Sequence, residues 1–370
     1  MSHEIRTPMN GILGFTQLLL KSHITSQQYD YLTTINQSAN SLLQIINDIL
    51  DFSKIEAGKL ELDISEFNLL DCLEESITIL APLAHNKNLE LVPIVYSDVP
   101  KKLITDSLRL RQIITNLANN AIKFTHSGSV VIRVMLDDDA EPSKAQIKAT
   151  KSKASRNSSK NNSKYVKIRV TVSDTGIGLS DFEKNKLFKA FSQADNTMAR
   201  KFGGTGLGLV ISKKLVQKMD GEIGLETMRG EGSVFWFTFK AKISQSGIVN
   251  ETLPEHIFNK NILICEQHPI TRLSIKYLLK NWGISAIDIS DINLIPNYLA
   301  RHQIDLIIYG LNNITNYSDD LNLILDFINK STINSEITNL AVLANTSDQN
   351  IYDRILELGI IFCIGKPVLH

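Results

Sequence analysis

The sequence predicts a multidomain protein made of a helical hairpin, a mixed α/β domain and a doubly wound parallel α/β domain. Three patterns carry this prediction. Apolar residues recur with a helical period over residues 1–60, and glycine-rich turns join strands and helices over residues 61–243. From residue 261 onward, short apolar runs alternate with helical stretches. A chain of 370 residues suits two or three domains, at roughly 100–200 residues each.

Residues 1–60 have the pattern of two antiparallel helices. We expect one over residues 3–21 and another over residues 26–57, with a break at residues 22–25 and Gly58 ending the second helix. Spacings of three and four between the apolar residues are typical of a coiled-coil seam. These residues are Ile5, Met9, Ile12, Thr16, Leu19, Leu32, Ile35, Ala39, Leu42, Ile46, Ile49 and Ser53. One hairpin cannot bury both stripes, so we expect a homodimer that forms a four-helix bundle.

Residues 61–243 alternate between strand and helix patterns. We expect helices over residues 68–84 and 107–124, and strands over residues 60–64, 129–136, 165–172, 222–227 and 233–239. Residues 137–164 are polar and free of aromatic side chains, which predicts a flexible insertion between two strands. Its lysines are not interleaved with aromatic residues, so nucleic-acid binding is not expected there.

The last part of the chain predicts a parallel sheet. Residues 244–260 are expected to be a linker. Beyond them, strand-like apolar runs occur at residues 262–265, 284–289, 304–309, 340–344 and 360–364, with helical stretches between them. Strands that alternate with helices are typical of a doubly wound parallel sheet. The chain stops at His370, where a last helix would begin, so we expect a domain that is truncated at its C-terminus.

Composition narrows the range of functions. The formal net charge of zero argues against a general nucleic-acid or membrane-surface binder. Cys72, Cys265 and Cys363 are far apart, which predicts no disulfide framework and fits a reducing cytoplasm. No apolar run reaches the ~20 residues of a membrane span. We therefore expect a cytoplasmic location and no membrane segment in this chain.

The first motif surrounds His3 at the start of the first helix. Glu4 follows it directly and can take the proton from one ring nitrogen, so that the other nitrogen attacks as a neutral nucleophile. Thr7 lies one turn further along the same face, and Pro8 favours a bend there. No second histidine follows at helical spacing, so metal binding is not expected. A structural or solvated histidine is the alternative interpretation.

The second motif places Asn116, Asn120 and Lys123 at positions i, i+4 and i+7 of a predicted helix, and therefore on one stripe. Two amides and an ammonium group beside an apolar seam are unfavourable unless they bind something. Amide oxygens suit Mg²⁺, and a lysine suits phosphate. A merely exposed polar face would fit poorly with the apolar residues 113, 114 and 117.

Two glycine-rich segments complete the set of motifs. Asp174 ends a predicted strand and is followed by Gly176 and Gly178, a tight turn where a ligand can approach the backbone. Its carboxylate could accept a hydrogen bond from an adenine amino group, although ordinary turns have the same pattern. Residues 203–208 run into a helix, where glycine amides form a phosphate cradle. Between the two segments, Phe188, Phe191 and the basic residues 200–201 could form a lid.

In order and spacing, these motifs resemble the boxes of histidine kinases. The H-box surrounds His3, and the N-box, first Gly box, F-box and second Gly box lie at residues 116–120, 174–178, 188–191 and 203–208. The resemblance covers residues 1–240. It is strongest to the BarA/GacS class of hybrid sensor histidine kinases, through residues 1–11, 47–59, 109–125 and 203–210.

The resemblance implies roles for individual residues. His3 would be the phosphoacceptor and Glu4 its base, and Thr7 would stand where the family has a phosphatase residue. In the ATP site, Asn120 would ligate Mg²⁺ with Asn116 assisting. Lys123 would contact phosphate and Asp174 would bind adenine. The other residues implied in ATP binding are Phe124, Gly176, Gly178, Gly204, Thr205, Gly206, Leu207 and Gly208.

Residues 261–370 resemble the receiver domain of response regulators, with departures at the reactive positions. The family's acidic pair is replaced by Glu266 and Gln267, and its acceptor aspartate by Gly310. Its hydroxyl residue aligns with Leu343, and the Lys366-Pro367 pair is kept. Without a carboxylate at position 310 there is no acyl-phosphate chemistry. A degenerate receiver is therefore expected.

These observations predict a two-component sensor histidine kinase that uses ATP and Mg²⁺ to phosphorylate its own His3. Receiver and phosphotransfer domains of a phosphorelay are the expected partners, phosphatase activity is a second expectation, and a longer parent protein would be anchored in the inner membrane. The alternatives are a truncated non-catalytic fragment or another ATPase of the same ATP-binding fold.

Overall fold

The computed structural model describes residues 2–137, 165–184, 187, 206–244, 260–311, 317–331, 339–360 and 362–368. They fall into two compact units. One comprises residues 1–63 and 180–218, and the other comprises residues 64–179 and 219–370. Residues 180–218 thus group with the helical hairpin, although the sequence places them inside the predicted ATP-binding domain.

The first unit is built on two helices that pack against each other, α1 (Ser2–Leu20) and α2 (Ser26–Glu56). Thr25 caps α2 in a reciprocal box. Its hydroxyl accepts from the Gln28 N–H at 3.2 Å, and its own N–H donates to the Gln28 side chain at 2.8 Å. Gly58 has φ +67°, the left-handed conformation expected just after a helix. Both helices lie within one or two residues of their predicted bounds.

The hairpin buries only part of its apolar surface. Met9, Thr16 and Ala39 are buried, whereas Phe15 and Leu18 remain 71% and 66% exposed. Two short elements complete this unit, α5 (Asp181–Lys184) and α6 (Gly208–Lys218). Helix α6 contacts α2 through an ion pair between Lys214 and Glu56. A single hairpin therefore leaves apolar side chains in water, as its sequence predicts.

The second unit contains a mixed sheet with strand order β1-β3-β7-β5-β4-β2, and β6 also pairs with β7. The strands are β1 (Ser65–Asn68), β2 (Glu90–Val95), β3 (Lys102–Thr105), β4 (Ser129–Leu136), β5 (Tyr165–Asp174), β6 (Ile223–Met228) and β7 (Gly232–Ile243). Strands β2 and β4 are parallel, and the other pairs are antiparallel. Helices α3 (Leu69–His85) and α4 (Ser107–Phe124) pack together. Both are fully buried along one face, at residues that include Leu73, Ile77, Leu110 and Leu117.

The prediction of a strand over residues 60–64 was wrong. Those residues form no strand, and β1 begins at Ser65. The partner strand decides this start, because β1 pairs with β3 only in the register Ser65 with Thr105 to Asn68 with Lys102. Alternation of side chains alone cannot show where a partner is available. Strands β2 and β3 were not predicted at all.

The second unit also contains a parallel sheet with strand order β12-β11-β10-β8-β9. Its strands are β8 (Ile262–Cys265), β9 (Ala286–Ile289), β10 (Leu306–Leu311), β11 (Asn339–Ala344) and β12 (Phe362–Gly365). Its helices are α7 (Pro269–Asn281), α8 (Ile295–Leu299), α9 (Tyr317–Ser331) and α10 (Gln349–Glu357). Helix α7 contributes to one apolar cluster, and α8, α9 and α10 contribute to another. The sheet is therefore doubly wound, as the sequence predicts.

Among the helices that the structure describes, none is both long enough and apolar enough to span a bilayer.

Candidate functional site

The predicted nucleophile lies in the first turn of the hairpin. The backbone of His3 and Glu4 is helical within α1, and their side chains lie outside the described part of the chain. Thr7 follows on the next turn with an exposed side chain, and Pro8 lies inside the helix. The pairing of His3 with Glu4 stays a prediction.

Helix α4 presents the predicted Asn and Lys stripe. The Asp106 side chain caps the helix by accepting from the Arg109 N–H at 2.9 Å. The apolar seam that faces the core is Leu110, Ile113, Ile114, Leu117 and Ala121. Beside this seam, Asn116, Asn120 and Lys123 are half-buried. The helix therefore holds two amides and one ammonium group on a partly sheltered stripe, as the spacing predicts.

A residue that sequence reasoning missed secures the C-terminus of α4. Lys87 Nζ donates to the Ile122 carbonyl at 2.7 Å, the Lys123 carbonyl at 2.8 Å and the Thr125 carbonyl at 3.3 Å. A cation at the C-terminal end of a helix satisfies free carbonyl groups and complements the helix dipole. The contacts join residues at least 35 positions apart, so no local pattern could reveal them. Burial lowers the pKa of the Lys87 ammonium.

Lys123 sits close to this capping group. Its Nζ lies 5.2 Å from the centre of the Phe124 ring, a cation–π distance. Burial, and then the neighbouring charge of Lys87, lower the pKa of the Lys123 ammonium. Two positively charged lysines at this end of the helix would attract an anion.

The Asp174 turn meets the same end of α4. The Asp174 carboxylate accepts from the Gly176 N–H at 2.9 Å, and the Ile177 N–H reaches the Phe124 carbonyl at 3.4 Å. A Cβ at Gly176 would lie 2.6 Å from that carbonyl oxygen, so only glycine allows the two segments to approach this closely. Gly178 has φ +60° and its α-carbon faces the Met228 carbonyl. The structure thus brings Asp174 and Gly176 to the end of α4 at Phe124.

Burial and hydrogen bonding have opposite effects on the pKa of the Asp174 carboxyl group. Burial raises the pKa of its carboxyl group, and hydrogen bonds from the Gly176 and Ser233 N–H groups partly offset that rise. A half-buried carboxylate held at a strand end is suited to recognise a hydrogen-bond donor of a planar ligand. It keeps acceptor capacity beyond the bond to Gly176.

The second glycine segment is only partly described. Gly206 has φ +68°, Leu207 is 1% exposed, and Gly208 begins α6. Gly204 and Thr205 lie outside the described residues, as do Phe188, Phe191 and the basic residues 200–201. The segment belongs to the first unit, whereas Asn120 and Asp174 belong to the second. Its role as a phosphate cradle stays a prediction.

Within the described ranges, no cluster of three or more histidine, cysteine, aspartate or glutamate side chains could hold a metal ion. The candidate Mg²⁺ ligand is instead the half-buried Asn120 amide, with Asn116 one turn earlier. Mg²⁺ prefers oxygen donors and commonly takes most of its ligands from water and substrate phosphates. One or two amide oxygens therefore fit a site completed by a nucleotide.

In the parallel sheet, the position predicted for a phosphoacceptor carries Gly310 in β10. A Cβ built there would collide with the Glu266 carboxylate, which fills the adjacent space. Asp305 lies just before β10, at the opposite end of the strand. Its carboxylate pairs with Lys260 at 2.7 Å and accepts from the Asn261 N–H at 2.8 Å. Asp305 therefore lies away from Gly310, with its carboxylate already paired.

Comparison with known families assigns two domains. Residues 1–58 match the His Kinase A (phospho-acceptor) domain, and residues 105–243 match the histidine kinase-, DNA gyrase B- and HSP90-like ATPase. The first match contains the H-box, and the second contains the N-box and the two Gly boxes.

Two curated relatives and one solved structure are also similar to this chain. Sensor protein GacS of Pseudomonas syringae pv. syringae is 48% identical over 316 residues, covering 84% of this chain and 32% of the relative. Signal transduction histidine-protein kinase BarA of Escherichia coli is 45% identical over 266 residues, covering 72% of this chain and 27% of the relative. The chain thus spans about a third or less of these relatives. The crystal structure of ShkA full-length in complex with AMPPNP matches with a TM-score of 0.66 and 26% identity, over 99% of this chain and 68% of that one.

Proposed function

Because this chain carries the phosphoacceptor and ATPase domains of sensor histidine kinases and belongs to that family, we propose that it binds ATP with Mg²⁺ and phosphorylates its own His3. The observation that carries the proposal is the meeting of α4 and the Asp174 turn. There the Gly176 N–H donates to Asp174 and the Ile177 N–H reaches the Phe124 carbonyl, next to Lys123 in the last turn of α4. The ammonium group suits a phosphate and the half-buried carboxylate suits a hydrogen-bond donor of the base, which together support binding of a nucleotide.

In the proposed reaction each residue has one task. Asp174 accepts a hydrogen bond from the adenine amino group, and Lys123 binds phosphate oxygen. Asn120, assisted by Asn116, would hold Mg²⁺, which would neutralise charge on the phosphates. The other residues that we propose to contact ATP are Phe124, Gly176, Gly178, Gly204, Thr205, Gly206, Leu207 and Gly208.

At the hairpin, Glu4 takes the proton from one ring nitrogen of His3, and the other nitrogen attacks the γ-phosphorus of ATP. The N–P bond forms as the bond to the leaving ADP oxygen breaks. Thr7, exposed one turn further along α1, is proposed to position a water for a separate phosphatase reaction, in which water takes the phosphoryl group and releases phosphate.

We further propose that the working form is a homodimer. The hairpin leaves Phe15, Leu18 and Leu42 exposed at 71%, 66% and 45%. A second copy would bury these side chains in a four-helix bundle, the common way for such stripes to leave water. The phosphoryl group on His3 would pass to a receiver or phosphotransfer domain in a relay.

The parallel-sheet domain is proposed to be receiver-like but unable to accept phosphate. Position 310 has no side chain, and the Glu266 carboxylate occupies the space beside it. Peptide mapping after phosphorylation tests this proposal. Hydroxylamine-sensitive phosphate within residues 261–370 would contradict it.

Incubation with γ-labelled ATP and Mg²⁺ tests the kinase proposal. The wild type should gain acid-labile, base-stable phosphate, and His3→Ala should gain none. His23→Ala is the matched control, because His23 is exposed in the turn between α1 and α2 and should be dispensable. Label in His3→Ala, or ATP hydrolysis without any protein-bound label, would favour another ATPase of this fold.

A further inference from the structure

Strand β2 is an edge of the mixed sheet, with β4 beside it. The N–H groups of Glu90 and Tyr96 donate to the β4 side, at Gly128 and Val134. By alternation, residues 89, 91, 93 and 95 direct their backbone groups to the open side. Open edges invite pairing with other chains, and native proteins cover them or block them with proline. Pro93 stands at one of these outward positions.

The parallel-sheet domain covers this open side. Ser274 Oγ of α7 donates to the Pro93 carbonyl at 2.7 Å, and Asn345 Nδ2, just after β11, donates to the Leu89 carbonyl at 3.4 Å. Both acceptors are outward-facing groups of the edge. Ile270 of α7 packs on a small apolar cluster made of Val92, Ile94 and Val131.

A buried lysine stands at the centre of this contact. Lys366 Nζ lies 3.1 Å from Glu90 Oε1 of β2 and 2.7 Å from Glu266 Oε2 beyond β8. The side chains of Lys366, Glu90 and Glu266 are only 2%, 11% and 0% exposed. A charge buried to this degree requires partners. One of the two carboxylates comes from the mixed sheet, so the charge arrangement is complete only when the two domains are in contact.

Polar groups around Lys366 extend the contact. Thr271 Oγ1 donates to Glu90 Oε2 at 3.0 Å. His85, at the end of α3, lies with Nε2 2.9 Å from the Lys366 carbonyl and Nδ1 2.7 Å from Ser347 Oγ. Both domains therefore contribute buried polar groups that find their partners across the boundary.

We propose that the parallel-sheet domain is a docking module for this chain's own ATP-binding domain, clamped by Lys366 between Glu90 and Glu266. The end of its sheet that carries Glu266, Asn345 and Lys366 forms the interface. The lysine neutralises a carboxylate of the neighbouring domain, and Glu266 fills the space at Gly310. The proposal goes beyond kinase activity and does not depend on it.

Amide hydrogen exchange of the full chain, read by mass spectrometry, tests the clamp. Lys366→Met removes the buried charge and leaves two carboxylates facing each other. Exchange should rise roughly tenfold or more in residues 89–96 and 268–281 together, while residues 306–311 in the core of the parallel sheet stay protected. Lys260→Met is the matched control, because Lys260 pairs with Asp305 at the opposite end of the same sheet and is 52% exposed. It should leave all three segments as in the wild type.

Two results would overturn the proposal. One is wild-type exchange in residues 89–96 when Lys366→Met is introduced. If Lys366→Met instead opens residues 306–311 as well, Glu90→Gln decides, because Glu90 belongs to the other sheet. That variant must loosen residues 268–281 and leave residues 306–311 protected. Unchanged exchange in residues 268–281 would then refute the clamp.

Discussion

The cap that Lys87 places on α4 leads to a quantitative prediction. Lys87→Met keeps an apolar stem of similar length and removes the ammonium group that serves three carbonyls at 2.7, 2.8 and 3.3 Å. The last turn of α4 carries Lys123 and Phe124, both proposed to contact ATP. Loss of the cap should therefore weaken ATP binding although Lys87 itself need not touch the nucleotide.

The size of the effect follows from the geometry. Hydrogen bonds that involve a charged group contribute about 1.5–3 kcal/mol in mutational series, and a charge at a helix end contributes about 0.3–1 kcal/mol. Lys87 is only half-buried, so water can replace part of the stabilisation that its ammonium group provides. We expect a loss of about 1.5 kcal/mol in unfolding free energy. If ATP must re-form the last turn, the same free energy appears as a roughly tenfold weaker Kd.

Denaturant unfolding and nucleotide titration measure both quantities. Lys87→Arg retains the charge and should restore most of the ATP affinity. Lys101→Met, which changes an exposed lysine of the same unit, should behave as the wild type. Wild-type ATP affinity and stability in Lys87→Met would refute the reasoning, since water would then satisfy the three carbonyls equally well.

Four further predictions follow from the site and its surroundings. Asn120→Ala should lose Mg²⁺-dependent ATP binding while His3→Ala retains it, and equal titration curves for Asn120→Ala and wild type would remove the metal assignment. Gly176→Ala should weaken ATP binding by roughly tenfold or more, because its methyl group lies 2.6 Å from a backbone carbonyl oxygen, and an unchanged Kd would contradict that steric argument. Burial lowers the pKa of the His85 side chain in the folded protein from its ordinary 6.5. The free energy of unfolding should therefore be constant above pH 6.5 and fall as the pH drops from 6.5 through the lowered pKa. His85→Gln should remove this dependence. Deleting residues 142–162, which lie outside the described residues, should leave the thermal midpoint and ATP affinity nearly unchanged, and a large drop in the midpoint would show that the segment packs on the domain.

Local sequence patterns were sufficient to predict the helices and strands whose own side chains show a regular period. Helix α4 spans Ser107–Phe124 and β4 spans Ser129–Leu136, the predicted bounds in both cases. Helical periodicity and alternation along the strand are both read within a few residues. The stripe of Asn116, Asn120 and Lys123 follows from the helical repeat in the same way.

Other features depended on residues that only the folded chain brings together. The start of β1 at Ser65 depends on its pairing with β3, and β2 is recognisable only beside β4. Lys87 meets carbonyls 35 or more residues away, and Lys366 meets Glu90 across 276 residues. The sequence by itself determined the helices, the doubly wound sheet and the order of the motifs, because each has a short-range period. The tertiary structure decided which charges are buried together, because burial depends on the distant segments that exclude water from them.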